Sequence, residues 1–217
     1  MIEVDDASRI VAQGYDRLDG TYRAWVERMR EGPRVSFLAE ILRLIPPGTD
    51  VLELGCGPGT EATALAERRR YTGVDLSDVQ LAHARLAVPS GTFLHGDLFD
   101  VALPAESFDA VVAFYVFGHI PAMRTGELFA RIHQWLRPGG WLCASFGTSD
   151  NPGEIEPHWL GVADMYFSSL PPERTDALLR SAGFTIRSAE TVEEVEPGVG
   201  TVAFRWVIAR RPIGIDR

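Results

Sequence analysis

Three glycines at alternate positions, Gly55, Gly57 and Gly59, follow the apolar run Val51-Leu52-Glu53-Leu54 and precede a helix-compatible run from Glu61 to Arg68. That order requires a strand, a tight turn and a helix N-terminus. Glycine reaches positive φ without steric cost and leaves no Cβ between the backbone and a bound molecule. Such a strand–turn–helix suits a nucleotide-like ligand. A second short apolar run, Tyr71-Thr72-Gly73-Val74, ends on Asp75, sixteen residues after Gly59. At that place in a doubly wound sheet a carboxylate accepts hydrogen bonds from ribose hydroxyls. Capping of the helix after Leu76 is the competing role for Asp75, but Ser77 and Asp78 serve it equally well.

Strand and helix signals alternate from residue 33 to 184, as in βαβ units with a mostly parallel sheet. Pro33 starts a helix with the stripe Val35, Leu38, Ile41, Leu42 and Ile45, stopped by Pro46-Pro47-Gly48. Strands are expected at about 50–54, 71–75, 92–95, 109–114 and 141–146, with helices over 78–86 and 121–136. The 109–114 run is almost wholly apolar, as a central parallel strand requires. Arg137-Pro138-Gly139-Gly140 reads as a helix stop. An irregular stretch follows, then a helix over 172–182 ended by Gly183. Two strands, 184–189 and 201–209, are joined only by a loop and so form an antiparallel hairpin. The glutamates Glu190, Glu193, Glu194 and Glu196 fall in that loop and read as a solvated turn.

The 217 residues, 46% hydrophobic, suit one globular domain, with or without a small lid. No run of 18 apolar residues occurs, so no membrane span is expected. Met1-Ile2-Glu3-Val4-Asp5-Asp6 lacks the charge and apolar pattern of a secretory leader, so a cytoplasmic location is expected. Two cysteines, Cys56 and Cys143, suggest no disulfide framework. A net charge of −9 argues against a nucleic-acid partner. The basic run Arg68-Arg69-Arg70 reads as the cationic end of a helix.

The glycine spacing separates nucleotide classes. A dinucleotide fingerprint reads GxGxxG, whereas here the order is Gly55-x-Gly57-x-Gly59, one residue shorter. Glu53, two residues ahead, would repel a pyrophosphate but suits an ammonium. The stretch resembles the first motif, E/D-x-G-x-G-x-G, of the class I S-adenosylmethionine-dependent methyltransferases, and the 148–171 stretch with the ending Phe204-Arg205-Trp206-Val207-Ile208-Ala209-Arg210 is similar to one group of their bacterial small-molecule members. The likeness covers most of residues 8–210, is firmest over 50–76, and is loose in the N-terminal segment and the 148–171 stretch. It implies an α/β fold: a Rossmann-like doubly wound sheet of seven strands, order 3-2-1-4-5-7-6, the last hairpin antiparallel. Residues 1–32 would be lid helices and 33–217 the core, with a 148–171 insertion covering the active site.

The resemblance also implies S-adenosyl-L-methionine as cofactor. Gly55, Cys56, Gly57, Gly59 and Thr60 would border its methionine and ribose parts, with Glu53 toward the ammonium and Asp75 and Leu76 at the ribose. Gly96-Asp97-Leu98 is similar to the family's adenine-reading motif, with Asp97 accepting from the exocyclic amine and the Leu98 N–H donating to the ring. Phe114 and Tyr115 would lie beside the reacting end. Tyr15-Asp16 and Tyr22 are similar to the lid motif that closes over the cofactor. The apolar stripe Ile10, Tyr15, Leu18, Tyr22, Trp25 and Met29 fits helical spacing, although Gly14 and Gly20 weaken a helix and suit a hinge.

The loop Phe114-Tyr115-Val116-Phe117-Gly118-His119-Ile120-Pro121 should face the ligand crevice at a strand's carboxyl end. It carries no Asn/Asp-Pro-Pro-Tyr/Phe sequence, no carboxylate for a divalent cation and no cysteine nucleophile. No metal is therefore expected. His119 is the candidate polar group, as general base, substrate contact or structural residue. Methyl transfer from a sulfonium needs chiefly proximity and alignment, and no base is obligatory. Trp25, Tyr115, His119, Trp159, Met165 and Tyr166 form the candidate wall around a small organic methyl acceptor. The sequence leaves oligomeric state open. Competing functions are a nicotinamide-dependent dehydrogenase, disfavoured by the glycine spacing, and a non-catalytic S-adenosylmethionine-binding sensor or partner protein.

Overall fold

A computed structural model describes residues 4–28 and 32–214. In chain order its strands are β1 (Asp50–Leu54), β2 (Arg70–Asp75), β3 (Thr92–His95), β4 (Phe108–Ala113), β5 (Leu136–Gly147), β6 (Asn151–Trp159), β7 (Ala163–Ser169), β8 (Thr185–Glu196) and β9 (Gly200–Arg210). Its helices are α1 (Val4–Glu27), α2 (Pro33–Leu44), α3 (Ala62–Ala66), α4 (Asp78–Ala87), α5 (Thr125–Trp135) and α6 (Pro172–Ser181). Seven strands form one sheet in the order β3-β2-β1-β4-β5-β9-β8, and β6 and β7 pair separately. From β3 to β5 all neighbours are parallel; β9 runs antiparallel to β5 and to β8. Once the separate β6–β7 hairpin is set aside, this is the order and the antiparallel closing pair expected from the sequence.

Central parallel strands are covered on both faces and so must be apolar at nearly every position. Val51, Leu52, Leu54 and all of Ala110–Ala113 are fully buried. Alternation sends Leu52, Val111 and Leu142 toward Leu128, Phe129 and Ile132 of α5. The intervening Val51, Ala110 and Cys143 face Phe37 and Ile41 of α2. Each large side chain so buried stabilises the fold by about 1.5–3 kcal/mol. A third cluster joins α1 to the β6–β7 hairpin through Leu18, Trp25, Trp159, Ala163 and Met165.

Several local expectations are corrected by tertiary contacts. The helix expected over 61–68 shrinks to five residues, because Arg68 adopts φ 63 and turns the chain into β2. Arg69 does not serve its own helix. Its guanidinium donates to the carbonyls of Leu42 and Ile45, the unsatisfied end of α2. Arg70 pairs with Asp50 across the β1–β2 ladder. The helix expected from Pro121 begins at Thr125 after a 3-10 turn, and the Arg137-Pro138-Gly139-Gly140 stop lies inside β5, which opens with Leu136 paired to Phe108. Residues 148–171, expected to be irregular, hold a hairpin. The glutamate run from Glu190 to Glu196 belongs to β8, so the closing hairpin is far longer than the sequence suggested.

The N-terminal segment forms one helix kinked at Asp19, φ 20 and ψ −108, next to Gly20. Gly14 is a point of close packing. A Cβ there would stand 2.7 Å from the Met165 methyl and 3.0 Å from the Asp164 carbonyl, so glycine lets α1 settle directly onto β7. Met29, the last member of the expected stripe, lies outside the described residues.

Candidate active site

The loops after β1, β2, β3 and β4 all leave the carboxyl edge of the sheet, and α1 lies over them. Between them is a pocket lined by Gly55, Gly57, Asp75, Leu76, Asp97, Leu98, Phe114, Tyr115, His119, Tyr15 and Tyr22. The three glycines of the first loop have φ of 59, 50 and 86, the left-handed region where a Cβ is strained. Gly55 is tightest, since an added Cβ would come 2.5 Å from a Val116 methyl. Gly55→Ala is expected to cost about 2–4 kcal/mol, the sum of backbone strain and overpacking, as read by urea unfolding.

Asp75 ties two loops together. One carboxylate oxygen accepts from the Gly57 N–H at 2.7 Å and the other from the Ser77 N–H at 2.9 Å. Burial holds its carboxyl above the usual range, opposed by those N–H donors. Capping of α4 falls to Ser77, whose hydroxyl accepts from the Gln80 N–H. Asp75 therefore keeps lone pairs for the pocket, since a carboxylate offers about four acceptor sites. Asp97 accepts from the Phe99 N–H at 2.8 Å, an ordinary turn contact, and lines the pocket as well.

Other residues from the sequence analysis lie elsewhere. Glu53 is buried beneath the glycine loop and accepts a hydrogen bond from the Tyr71 hydroxyl; it does not line the pocket. Burial, and then the nearby Glu61, hold its carboxyl well above the ordinary value. The Cys56 thiol is likewise buried, and burial pushes it up. Gly59 packs against Ala84 of α4, and Thr60 faces a separate outer groove with Arg34 and Glu61. Met165 and Tyr166 are almost fully buried under α1. What Tyr166 offers the site is its backbone carbonyl.

His119 lies where α1, the β4 loop and β7 meet. Its Nδ1 is 2.9 Å from the Tyr166 carbonyl, which can only accept, so Nδ1 carries the proton. Nε2 is then the acceptor for the Tyr15 hydroxyl at 2.8 Å. Burial lowers the imidazole to about 4, so the ring is neutral at physiological pH. The Tyr15 hydroxyl keeps its proton because burial, followed by Tyr22 and Asp75, raises it well above 10.0. Further bonds fix α1 in place: Ser77 donates to Asp16 at 2.6 Å, and the Gln80 amide nitrogen donates to the Tyr15 carbonyl.

Tyr15, Tyr22, Tyr115 and His119 also line a second, adjoining cavity, whose far wall is Trp25, Trp159, Phe167 and Phe204. The rings interlock: Tyr15–Tyr22 centroids are 4.9 Å apart, Trp25–Trp159 5.8 Å and Trp159–Phe167 5.4 Å. Tyr115 stands between the two spaces at φ 60, a strained position for a non-glycine residue. Its N–H donates to Ser145 and its hydroxyl to Glu194. Sequence reasoning missed Gln80, whose side-chain oxygen is buried without a partner beside the first pocket. It also missed Glu154, Glu156 and Glu196 in the second cavity. Only strand alternation read through to Glu196 would have revealed the last.

The first pocket offers acceptors, namely the Asp75 and Asp97 carboxylates and the orphaned Gln80 oxygen. Adenosine presents donors, the ribose hydroxyls and the exocyclic amine, so these residues fit the S-adenosyl group. Among the described residues no group of three or more His, Cys, Asp or Glu side chains is placed to hold a metal ion. Among them, too, no helix is long and apolar enough to cross a membrane.

Comparison with known proteins agrees with this geometry. Residues 51–140 match the family model described as "Methyltransferase domain". A Mycolicibacterium smegmatis protein named "Probable S-adenosylmethionine-dependent methyltransferase" is 32% identical over 142 residues, covering 64% of this chain and 53% of that protein. The chain spans about half the length of the curated relatives it matches first. A solved S-adenosylmethionine-dependent methyltransferase from Mesorhizobium loti is 25% identical, with a TM-score of 0.61 over 79% of this chain and 96% of that one. The Burkholderia thailandensis 1,6-didemethyltoxoflavin-N1-methyltransferase, solved with 1,6-didemethyltoxoflavin and S-adenosylhomocysteine, has the same fold. Its TM-score is 0.74 at 21% identity, over 98% of this chain and 92% of that one.

Proposed function

We propose that this chain, a member of the class I S-adenosylmethionine-dependent methyltransferase family, moves a methyl group to a small organic acceptor enclosed beneath α1. One observation carries the reading: the acceptor-rich pocket at the glycine loop opens into an aromatic cavity, and Tyr15, Tyr22, Tyr115 and His119 border both. The cofactor, when bound, supplies an electrophilic methyl on a sulfonium. Asp75 holds its ribose end, Asp97 and Gln80 accept from adenosine donors, and Phe114 and Tyr115 border the reacting side.

In this reading the chain's contribution is placement and exclusion of water, not proton chemistry. The aromatic walls orient an apolar acceptor and keep bulk water from the transferring group. His119 is a positioning residue: its only free lone pair already holds the Tyr15 hydroxyl, which fixes α1 over both spaces.

Incubation with methyl-labelled cofactor and a panel of small metabolites tests the proposal. Label should appear in at least one small acceptor. Cofactor binding without turnover on any acceptor favours the non-catalytic reading, and salt-sensitive saturable binding to RNA or DNA rejects a small acceptor. Treatment with EDTA is expected to leave turnover unchanged; loss of activity restored by magnesium contradicts the proposal that no divalent cation takes part.

A further inference from the structure

We propose that the aromatic cavity selects an acceptor bearing a cationic nitrogen group, an alkylammonium or amidinium, which Glu196 holds from the end of β8. This rests on the methyltransferase reading and adds a substrate class to it.

The first observation is a reversed strand pattern. At the end of β8, Val195 is 74% exposed whereas Glu196 is only 8% exposed and lines the cavity. Alternation along a strand normally puts valine inside and glutamate in water. Burying a carboxylate is costly unless it is paired. Among the described residues no hydrogen bond or ion pair reaches the Glu196 side chain. The charged groups acting on it are Glu194 and Glu156, both carboxylates, and with burial they push it up to about 7. The carboxylate is therefore an unpartnered acid facing a cavity.

The surroundings select for charge sign. Glu154 and Glu156 of β6 line the same cavity, and Glu154 is held by the Asn151 amide at 2.8 Å. Arg34, which also lines the cavity, is paired with Glu61 at 3.1 Å. A cation entering this space meets carboxylates on two walls and the rings of Tyr22, Trp25 and Trp159, where cation–π attraction adds roughly 0.5–2 kcal/mol. An anion meets repulsion. The Trp25 indole donates to the Pro197 carbonyl at 2.8 Å, so α1 fixes the residue next to Glu196 and holds the carboxylate in register with the aromatic wall. The cation is a recognition handle; the atom that accepts the methyl must carry a free lone pair.

Calorimetric titration of the full chain, saturated with S-adenosylhomocysteine, decides this with three probes of one shape: 2-phenylethylammonium, 2-phenylethanol and 3-phenylpropionate. At pH of about 8 Glu196 is ionised. The ammonium is expected to bind about ten-fold more tightly than the alcohol, and the carboxylate more weakly than either. Glu196→Gln should remove most of the ammonium preference while leaving affinity for the alcohol and for S-adenosylhomocysteine within about two-fold. Equal binding of ammonium and alcohol overturns the proposal, and this comparison needs no variant. So does a Glu196→Gln chain that keeps the preference. A Glu196→Gln chain that instead loses S-adenosylhomocysteine affinity also overturns it, assigning the carboxylate to the cofactor's own ammonium. If the wild-type chain does not bind S-adenosylhomocysteine, the cofactor reading fails; the same titrations on the chain alone still decide the ammonium preference.

Discussion

Asp75→Ala is expected to weaken S-adenosylhomocysteine binding by about 100-fold, or about 2.7 kcal/mol. Two losses combine. A hydrogen bond to a charged group contributes about 1.5–3 kcal/mol, and the ribose would present two hydroxyls to this carboxylate. The same side chain holds the Gly57 and Ser77 N–H groups, so its removal also frees the glycine loop and the entry to α4. Asp75→Asn should lose less, because the amide keeps one oxygen to accept from either N–H or ribose. Calorimetry on both variants, with circular dichroism to establish folding, checks the order. Unchanged affinity in a folded Asp75→Ala chain rejects the ribose assignment.

Replacing His119 by glutamine is expected to remove a pH-dependent loss of stability between pH 6.5 and about 4. The imidazole is held at about 4 in the folded chain, chiefly by burial, against about 6.5 when unfolded. Above 6.5 both states carry a neutral ring, and the stability associated with this group is fully present. As pH falls through the window the unfolded state takes up the proton first, so stability is lost until the folded ring also protonates near 4. The full shift corresponds to about 3 kcal/mol, and the partial exposure of His119 reduces the expected loss to about 2 kcal/mol. Other buried acids titrate in the same range, so the quantity to measure is the difference in unfolding free energy between wild type and His119→Gln across pH. A difference that does not change with pH contradicts the buried neutral imidazole. The same geometry predicts no His119-dependent limb near pH 6.5 in kcat, because a ring at about 4 with its lone pair on Tyr15 is not poised to collect a proton.

The fates of particular residues show what local sequence could and could not reveal. β4 was legible because a parallel strand covered on both faces is a short continuous apolar run, and Ala110 to Ala113 has that composition. The glycine loop was legible because glycine takes left-handed positions without the steric cost that a Cβ brings, and three fall at alternate positions here. Helix lengths were not. Arg68 to Arg70 looked like a cationic helix end, yet Arg69 caps α2, a partner more than twenty residues away.

The glycine turn and the place of Asp75 at the end of β2 were set by the sequence, because each depends on local sterics and on a short run of residues, whereas the sheet order was legible only through the family resemblance. Tertiary structure alone decided the second half of the site. Glu53 matched the motif but is held by Tyr71 beneath the loop. Glu196 looked like a solvated turn but became an inward-facing strand residue once the β8–β9 ladder extended to Gly200. His119 was legible as a polar group on the crevice loop, but its protonation was not. That is fixed by a hydroxyl 104 residues earlier and a carbonyl 47 residues later. Burial and hydrogen-bond partners set a group's charge, and both come from chain segments that sequence spacing does not bring together.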